Sequence, residues 1–493
     1  MKILFIDFNL GATVGINNGI SILSAVLKEK GNQVKLILLC EETGYGFELD
    51  RIKKDIQKFN PDVIGISLME PQLRYAVDLC NDLSIYYKGF VICGGPYPTM
   101  NPRSMLALKS VDAICIGEGE DALLELVEAL ELGKDYTHVR NLWFKLDGEV
   151  IQNKLRSFKD LDKLPPDDKR LFDLNKIIHL KNGQLEMLLG RGCPFKCSYC
   201  INGSYLNKYK TLCESSVSMK DYLRIRNIDT VIEEMRSLIV SYPIREIAFV
   251  DDNFLVYNNF VDSFTKQYKE KIGLPFTINV NPVTFHVGKM ARLKDAGCNT
   301  IRFGLESGSE RIKREILQRP VSNSTIINAI KESEKLGLTT STFNMIGLPT
   351  ETVEEVFDTL RLNAMTKPKF IKVMTFYPFT GTPLYSLCLE IGLINHEKKD
   401  ILNNYDTFTC LNFPEYYQLF LEKIQKAFNW YINVFLDNEV SPEYQKLISR
   451  IESMSRPEWQ EFDFDRVDQE ASQNYKGITH YSKFMNRSLA VRC

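Results

Sequence analysis

The sequence predicts an α/β protein in three parts: an N-terminal Rossmann-like, doubly wound parallel sheet, then a partial (β/α)6 TIM-like barrel, then a helical C-terminal segment. Three observations predict this. Short, apolar strand-like runs alternate with amphipathic stretches through residues 1–133, the pattern of parallel strands covered by helices on both faces, and strand–helix alternation returns through 185–376. A hairpin signal and a proline-rich stretch interrupt the alternation between 138 and 184. Beyond about Ile394 the strand-like runs stop and long amphipathic helices follow. The expected domains are therefore 1–137, a connector at 138–184, the barrel at 185–394 and a helical segment at 395–493.

In the first part, strands are expected at Ile3–Phe8, Val34–Leu39, Val63–Leu68, Phe90–Gly94 and Ala113–Gly117, with helices at Ile20–Lys30, Glu48–Phe59, Leu73–Tyr87 and Glu120–Leu132. Open sheets of this kind bind ligands at the carboxyl ends of their strands. Those ends are rich in small residues. The first loop carries Gly11 and Gly15, the third strand runs into Ser67, Leu68, Met69 and Glu70, the fourth ends at Gly94-Gly95-Pro96 and the fifth at Gly117-Glu118-Gly119. Glycine there lets a bulky ligand approach the backbone; ordinary tight turns are the alternative. There is no G-x-G-x-x-G in the first loop and no G-x-x-x-x-G-K-[ST] anywhere, which argues against a dinucleotide and excludes a P-loop nucleotide site.

In the connector, Leu142–Leu146 and Val150–Leu155 flank Asp147-Gly148, a strong hairpin signal. Leu164-Pro165-Pro166-Asp167-Asp168 reads as an extended linker.

The barrel part should have strands at Leu185–Gly190, Glu246–Asp251, Phe276–Val280, Thr300–Leu305, Thr339–Ile346 and Phe370–Phe376. Helices are expected at Ile228–Ser241, Phe260–Ile272, His286–Ala296, Asn323–Leu336 and Val353–Ala364. Barrel chemistry sits at the carboxyl ends of strands. After the first strand comes Arg191-Gly192-Cys193-Pro194-Phe195-Lys196-Cys197-Ser198-Tyr199-Cys200, a C-x3-C-x2-C pattern. A [4Fe–4S] cluster usually takes four thiolates, so three would leave one iron open for chemistry. Zinc sites usually show paired knuckles and four closed ligands, and no second knuckle is present. Later strand ends carry Asp251-Asp252, Glu306-Ser307 and Met345-Ile346-Gly347. Asp251-Asp252 could equally cap a helix, and Gly347-Leu348-Pro349 could be only a turn into one. Residues 201–227, with Tyr205, Tyr209 and Tyr222, read as an insertion that could form a lid.

The cysteine spacing, the strand before it, the aromatic Tyr199 and the β/α units that follow resemble the radical SAM superfamily. The segments PDVIGIS, ICGGPYPT and DAICIGEGE upstream resemble the cobalamin-binding domain of the B12-dependent radical SAM proteins, a family of methylases and of cyclases of the anaerobic magnesium-protoporphyrin ester type. The resemblance covers roughly residues 1–390 and implies three cofactors: a [4Fe–4S] cluster, S-adenosylmethionine and cobalamin. It implies that Cys193, Cys197 and Cys200 hold the cluster. It implies that Tyr199, Asp252, Glu306, Ser307, Met345, Ile346 and Gly347 bind S-adenosylmethionine. For cobalamin it implies Gly11, Gly15, Ser67, Met69, Glu70, Gly94, Gly95, Pro96, Gly117, Glu118 and Gly119. The Asp-x-His-x-x-Gly signature of B12 mutases is absent, and residues 1–133 contain no histidine at all. The implied reaction is methylation of an unactivated carbon of a small molecule, with a flavodoxin- or ferredoxin-like electron donor. A cyclisation or rearrangement without methyl transfer, an empty first domain and a cobalamin-binding sensor are the rivals.

Over 493 residues the formal charge is −2, which gives no sign of a nucleic-acid partner. No apolar run approaches 18 residues, so no membrane span is expected. Met1-Lys2 leads directly into a strand without a signal peptide, and the twelve cysteines are mostly isolated, so a reducing cytoplasmic setting is expected.

In the C-terminal segment Tyr416–Leu436 and Pro442–Met454 read as amphipathic helices, either packed against the barrel or shaping its substrate site.

Overall fold

The computed structural model describes residues 1–146, 148–257, 260–402, 408–475 and 480–483. The chain divides into two units, one of Met1–Phe195, Tyr199–Arg245 and Phe379–Ser386, the other of Lys196–Ser198, Glu246–Pro378 and Leu387–Cys493.

The first unit is built on a seven-stranded sheet. Its strands are β1 (Lys2–Phe8), β2 (Gln33–Leu39), β3 (Val63–Ser67), β4 (Phe90–Gly94), β5 (Ala113–Cys115), β6 (Leu142–Leu146) and β7 (Glu149–Gln152), in the order β2-β1-β3-β4-β5-β6-β7. β1 to β5 are parallel, as their apolar runs require. Ile3, Ile6, Val63, Ile64 and Ile114 are fully buried, and helices such as Asn18–Glu29 and Leu73–Tyr86 supply the covering layers. The order reverses between β1 and β3, and that switch point opens a crevice at the strands' carboxyl ends.

The hairpin expected around Gly148 is present, although Asp147 lies outside the described residues. It is more than a connection: β6 pairs antiparallel with β5, with Ala113 opposite Phe144 and Cys115 opposite Leu142, and so lengthens the five-stranded sheet by two strands. Three apolar residues in a row, Leu142, Trp143 and Phe144, are buried by this docking.

Three further strands, β8 (Gln184–Met187), β9 (Gly190–Arg191) and β10 (Arg224–Ile225), lie in this unit. β9, immediately before the cysteines, pairs antiparallel with β10. Residues 201–227 are not one long loop. They form the helix Ile201–Leu212, the short helix Met219–Tyr222 and β10. Helical spacing puts Tyr205 and Tyr209 on one face, and with Tyr222 they pack around Phe158, whose ring stacks on Tyr209 at 4.0 Å.

The second unit holds five parallel strands, β11 (Glu246–Phe249), β12 (Phe276–Val280), β13 (Cys298–Glu306), β14 (Thr339–Ile346) and β15 (Phe370–Thr375), each adjacent to the next. They form a curled parallel half-barrel, helices covering its outer face. The helix Val353–Thr366 and the long helix Glu415–Phe435 share one apolar cluster with Ile346 and Ile371. Trp430, fully buried, stacks on Phe464 at 4.4 Å and donates to Asp468 at 2.8 Å. The aromatic C-terminal residues are thus packing groups of the second unit.

Candidate functional site

The cysteine loop begins at a forced turn. Gly192 has φ +99°, and a Cβ there would meet the Tyr222 carbonyl oxygen at 2.6 Å, so only glycine fits. Cys193 and Cys200 are half-buried, Cys197 is buried, and none of the three is in a disulfide. The Asn202 amide donates to Cys200 Sγ at 3.6 Å. In the second unit Ser198 N donates to the Leu317 carbonyl at 2.9 Å, and Arg319 Nη1 donates to Cys197 Sγ at 3.8 Å. Among the described residues no group of three or more His, Cys, Asp or Glu side chains is drawn together as a metal site. The donor chemistry fits an iron–sulfur cluster nonetheless: three thiols on one loop, the middle one accepting from a buried guanidinium.

Arg319 was not legible in the sequence. Its second donor, Nη2, reaches the Gly304 carbonyl at 2.8 Å. Gly304 is where β13 changes register against β14. Two residues later Glu306 takes φ +67°, a left-handed conformation uncommon for residues other than glycine. The result is that the Glu306 carboxylate and the Arg319 guanidinium occupy the space a side chain at 304 would fill. Cys197, Arg319, Gly304 and Glu306 therefore form one constellation at the carboxyl end of β13.

The other expected strand-end residues fall differently. Asp252 is exposed beside the buried Asp251. Ser307 is fully buried, its hydroxyl accepting from Ser309 N at 3.2 Å, an internal turn contact. Ile346 faces the helix-side cluster, and Met345 is 8% exposed. Gly347 has φ +74°, and its amide donates to Glu351 Oε2 at 2.7 Å, as Leu348 N does at 3.2 Å. The Gly347 N–H is thereby engaged by the protein itself. Burial pushes the Glu351 carboxyl up to about 8, against the lowering by those two amides. The sequence signal was available, an acid four residues beyond a strand-end glycine, yet Glu351 could not be told from the acidic first turn of the next helix.

In the first unit, Ser67, Met69 and Gly94-Gly95 come together at the β3 and β4 ends. Asn17 donates to Asp7 Oδ1 at 2.8 Å and to Ser67 Oγ at 3.0 Å, tying the ends of β1 and β3. Burial raises Asp7 to about 6, with Asn17 opposing. Gly95 has φ +97° and lies against Leu68, and Pro96 starts the helix Pro96–Met100. Met69 is 42% exposed, a large apolar side chain at the switch-point crevice. Glu70 instead accepts from Thr380 N at 2.7 Å and from the Thr380 hydroxyl.

The fifth-strand turn is not open. Tyr209 fills the space beside Gly117, and its hydroxyl accepts from Glu118 N at 2.8 Å. The Glu118 carboxylate pairs with Arg191 at 2.8 Å and Arg224 at 2.7 Å and accepts from Lys159 N at 2.9 Å. Burial pushes Glu118 up, but the two guanidiniums outweigh it and hold the carboxyl at about 2. Gly119 packs on Cys115. The amides of the first loop are likewise taken: Gly11 N donates to Glu41 at 3.1 Å, Val14 N to Glu42 at 2.8 Å and Ile16 N to Glu186 at 3.2 Å, with Gly15 against the same Glu186 carboxylate. Carboxylates on these amides leave no phosphate cradle there. The exposed Met69, the small Gly94-Gly95 turn and the absence of a histidine in residues 1–133 fit a corrin bound through apolar and backbone contact.

Comparison with known proteins finds two domain matches in the chain. Residues 11–127 match the B12 binding domain and residues 187–362 the radical SAM superfamily. The chain is 28% identical over 386 residues to an uncharacterized methyltransferase of Pyrococcus horikoshii, covering 78% of this chain and 80% of that one. It is 22% identical over 440 residues to cytidylyl-2-hydroxyethylphosphonate methyltransferase of Streptomyces wedmorensis, covering 77% and 79%. Among solved structures it is similar to the cobalamin-dependent S-adenosylmethionine radical enzyme OxsB with aqua-cobalamin and S-adenosylmethionine bound. The TM-score is 0.68 at 14% identity, covering 92% of this chain and 71% of that one. The radical SAM domain implies a [4Fe–4S] cluster and S-adenosylmethionine, and the B12-binding domain implies cobalamin. No helix among the described residues is long and apolar enough to cross a membrane.

Proposed function

We propose that this chain, a cobalamin-dependent radical SAM enzyme, methylates an unactivated carbon of a small-molecule substrate. The observation that carries the reading is the constellation of Cys197, Arg319, Gly304 and Glu306 at the end of β13. Relatives named as methyltransferases support the choice of methyl transfer. When bound, the cofactors supply the 5′-deoxyadenosyl radical that removes a hydrogen atom and the methyl group that replaces it.

The chain's own residues hold and shield. Cys193, Cys197 and Cys200 are the thiolate ligands, with Arg319 offsetting charge on the middle one. Glu306, fixed by its left-handed backbone and by the missing side chain at 304, takes the ammonium or ribose hydroxyls of S-adenosylmethionine, with Tyr199 and Asp252 as further contacts. The Met345–Gly347 strand end offers carbonyl groups to adenine, since Glu351 holds the amide side. In the first unit Ser67, Met69 and Gly94-Gly95 contact the corrin, whereas Glu118 serves as the anchor of β9 and β10. A flavodoxin- or ferredoxin-like protein delivers the electron.

Anaerobically reconstituted protein, given S-adenosylmethionine labelled at the methyl carbon and a panel of candidate substrates, should yield a product carrying one labelled methyl only when cobalamin is present. A product of unchanged carbon count, formed equally without cobalamin, overturns methyl transfer. The Cys193→Ala, Cys197→Ala, Cys200→Ala triple variant should form no 5′-deoxyadenosine.

A further inference from the structure

One buried charge in the second unit has no role in the constellation above. Arg302 sits in the middle of β13 and is 5% exposed, and its Nε and Nη2 have no hydrogen-bond partner among the described residues. Strand alternation fixes which way it faces. Ile301, Phe303 and Leu305, its neighbours in the strand, are fully buried. Phe303 is in register with Thr342, whose hydroxyl donates at 2.7 Å to Asn363 on the helix Val353–Thr366. Thr342 therefore marks the helix-covered face, and Arg302 points to the opposite one, the concave side of the half-barrel.

That side is polar at its level. Asn279 on β12 and Ser341 on β14 are in register with Arg302. One row nearer the strand ends stand Gly304, Phe343 and Lys372, so a second cationic residue shares the face. The Glu306 carboxylate lies above Gly304 with Arg319 beside it. A guanidinium stays charged at any pH a protein survives, and burying it without a partner is strongly unfavourable. Arg319, comparably buried, has both a thiol and a carbonyl to donate to. Arg302 has its Nε–Nη2 edge free, the two parallel donors that match a carboxylate or phosphate side-on.

We propose that Arg302 is the anion-binding residue of the barrel interior, holding a carboxylate- or phosphate-class group of the molecule that is methylated. The proposal rests on the reading of this half-barrel as the substrate chamber. Arg302 lies four residues down β13 from Glu306, on the order of 13 Å along a strand, which places it deeper than the expected S-adenosylmethionine contacts. The carboxylate of S-adenosylmethionine is the other source of the same chemistry.

The test uses reconstituted full-length protein, inorganic phosphate as the probe, and calorimetric titration with thermal midpoints. Phosphate should bind the wild type and raise its midpoint. Arg302→Met should weaken phosphate binding at least tenfold, lose the phosphate-dependent shift, and have the higher midpoint in phosphate-free buffer. Its dissociation constant for S-adenosylmethionine should change less than twofold, which assigns the anion to the acceptor. A tenfold loss of S-adenosylmethionine binding in Arg302→Met, with phosphate displaced by S-adenosylmethionine in the wild type, overturns the acceptor assignment and gives the site to the cofactor's carboxylate. Equal phosphate affinity in wild type and variant overturns the site itself. Should Arg302→Met not fold, Arg302→Lys keeps the charge and loses the fork, and unchanged phosphate affinity in that variant overturns the site equally. None of these readouts depends on cobalamin or on methyl transfer, so failure here is distinct from failure of the proposed reaction.

Discussion

Replacing Glu351 by glutamine should make the second unit more stable, and increasingly so as pH rises. The carboxyl is wholly buried, and its value of about 8 lies above the ordinary 4.5. A group raised in this way contributes stability that is fully present below 4.5 and is lost as pH climbs through 8. At about 1.4 kcal/mol per pH unit the whole gap corresponds to about 5 kcal/mol, and integrating to pH 7.5 gives a loss of about 4 kcal/mol, against about 1 kcal/mol at pH 5. Glutamine keeps an oxygen to accept from Gly347 N and Leu348 N but cannot ionise. Glu351→Gln should therefore be within about 1 kcal/mol of the wild type at pH 5 and ahead by roughly 3 kcal/mol more at pH 7.5. Urea unfolding followed by tryptophan fluorescence reads this directly, because Trp430 and Trp459 share an apolar cluster with Ile346, next to Gly347. Parallel stability curves for the two proteins from pH 5 to 8 would refute the reasoning, since they would mean that the carboxyl ionises in its usual range.

Four further outcomes are expected. Arg319→Met removes the N–H donor to Cys197 Sγ; hydrogen bonds to cluster sulfurs raise the potential, so it should fall by about 60 mV, the equivalent of a tenfold change for one electron, with iron content kept, as electron paramagnetic resonance during redox titration would show. Glu306→Ala should weaken S-adenosylmethionine binding at least tenfold in calorimetry while leaving the cluster spectrum intact; an unchanged dissociation constant removes Glu306 from the site. Glu118→Gln should destabilise the first unit by about 3 kcal/mol at pH 7, because a buried carboxylate held at about 2 contributes stability present above 4.5 and lost as pH falls toward 2. Its urea midpoint should stay flat over the acid range in which the wild type weakens. Cob(II)alamin bound to the protein should show no axial nitrogen hyperfine splitting, since residues 1–133 contain no histidine and a nucleotide tail held near Ser67 and Gly94-Gly95 would keep its own base off the metal.

Local pattern determined much of this protein. Most of the strands and the helices between them follow from short strand-like runs and from helical spacing, because pleat and helix period are properties of a few consecutive residues. The C-x3-C-x2-C motif lay in plain view for the same reason: its ligands are neighbours in the chain. Tertiary structure decided what those neighbourhoods face. Gly117-Glu118-Gly119 reads as an open ligand turn until Tyr209, Arg191 and Arg224 arrive from more than 70 residues away and close it. The hairpin was legible, but its pairing with β5 was not, since an edge strand's free hydrogen bonds do not show in its own sequence. Arg319 and Arg302 look like ordinary basic residues until the register of β12, β13 and β14 buries one against a cysteine and leaves Nε and Nη2 of the other, on the concave face, without a hydrogen-bond partner among the described residues. Burial turns a charged side chain from a solvated group into one that must be paired, and burial is set by which distant strands lie alongside.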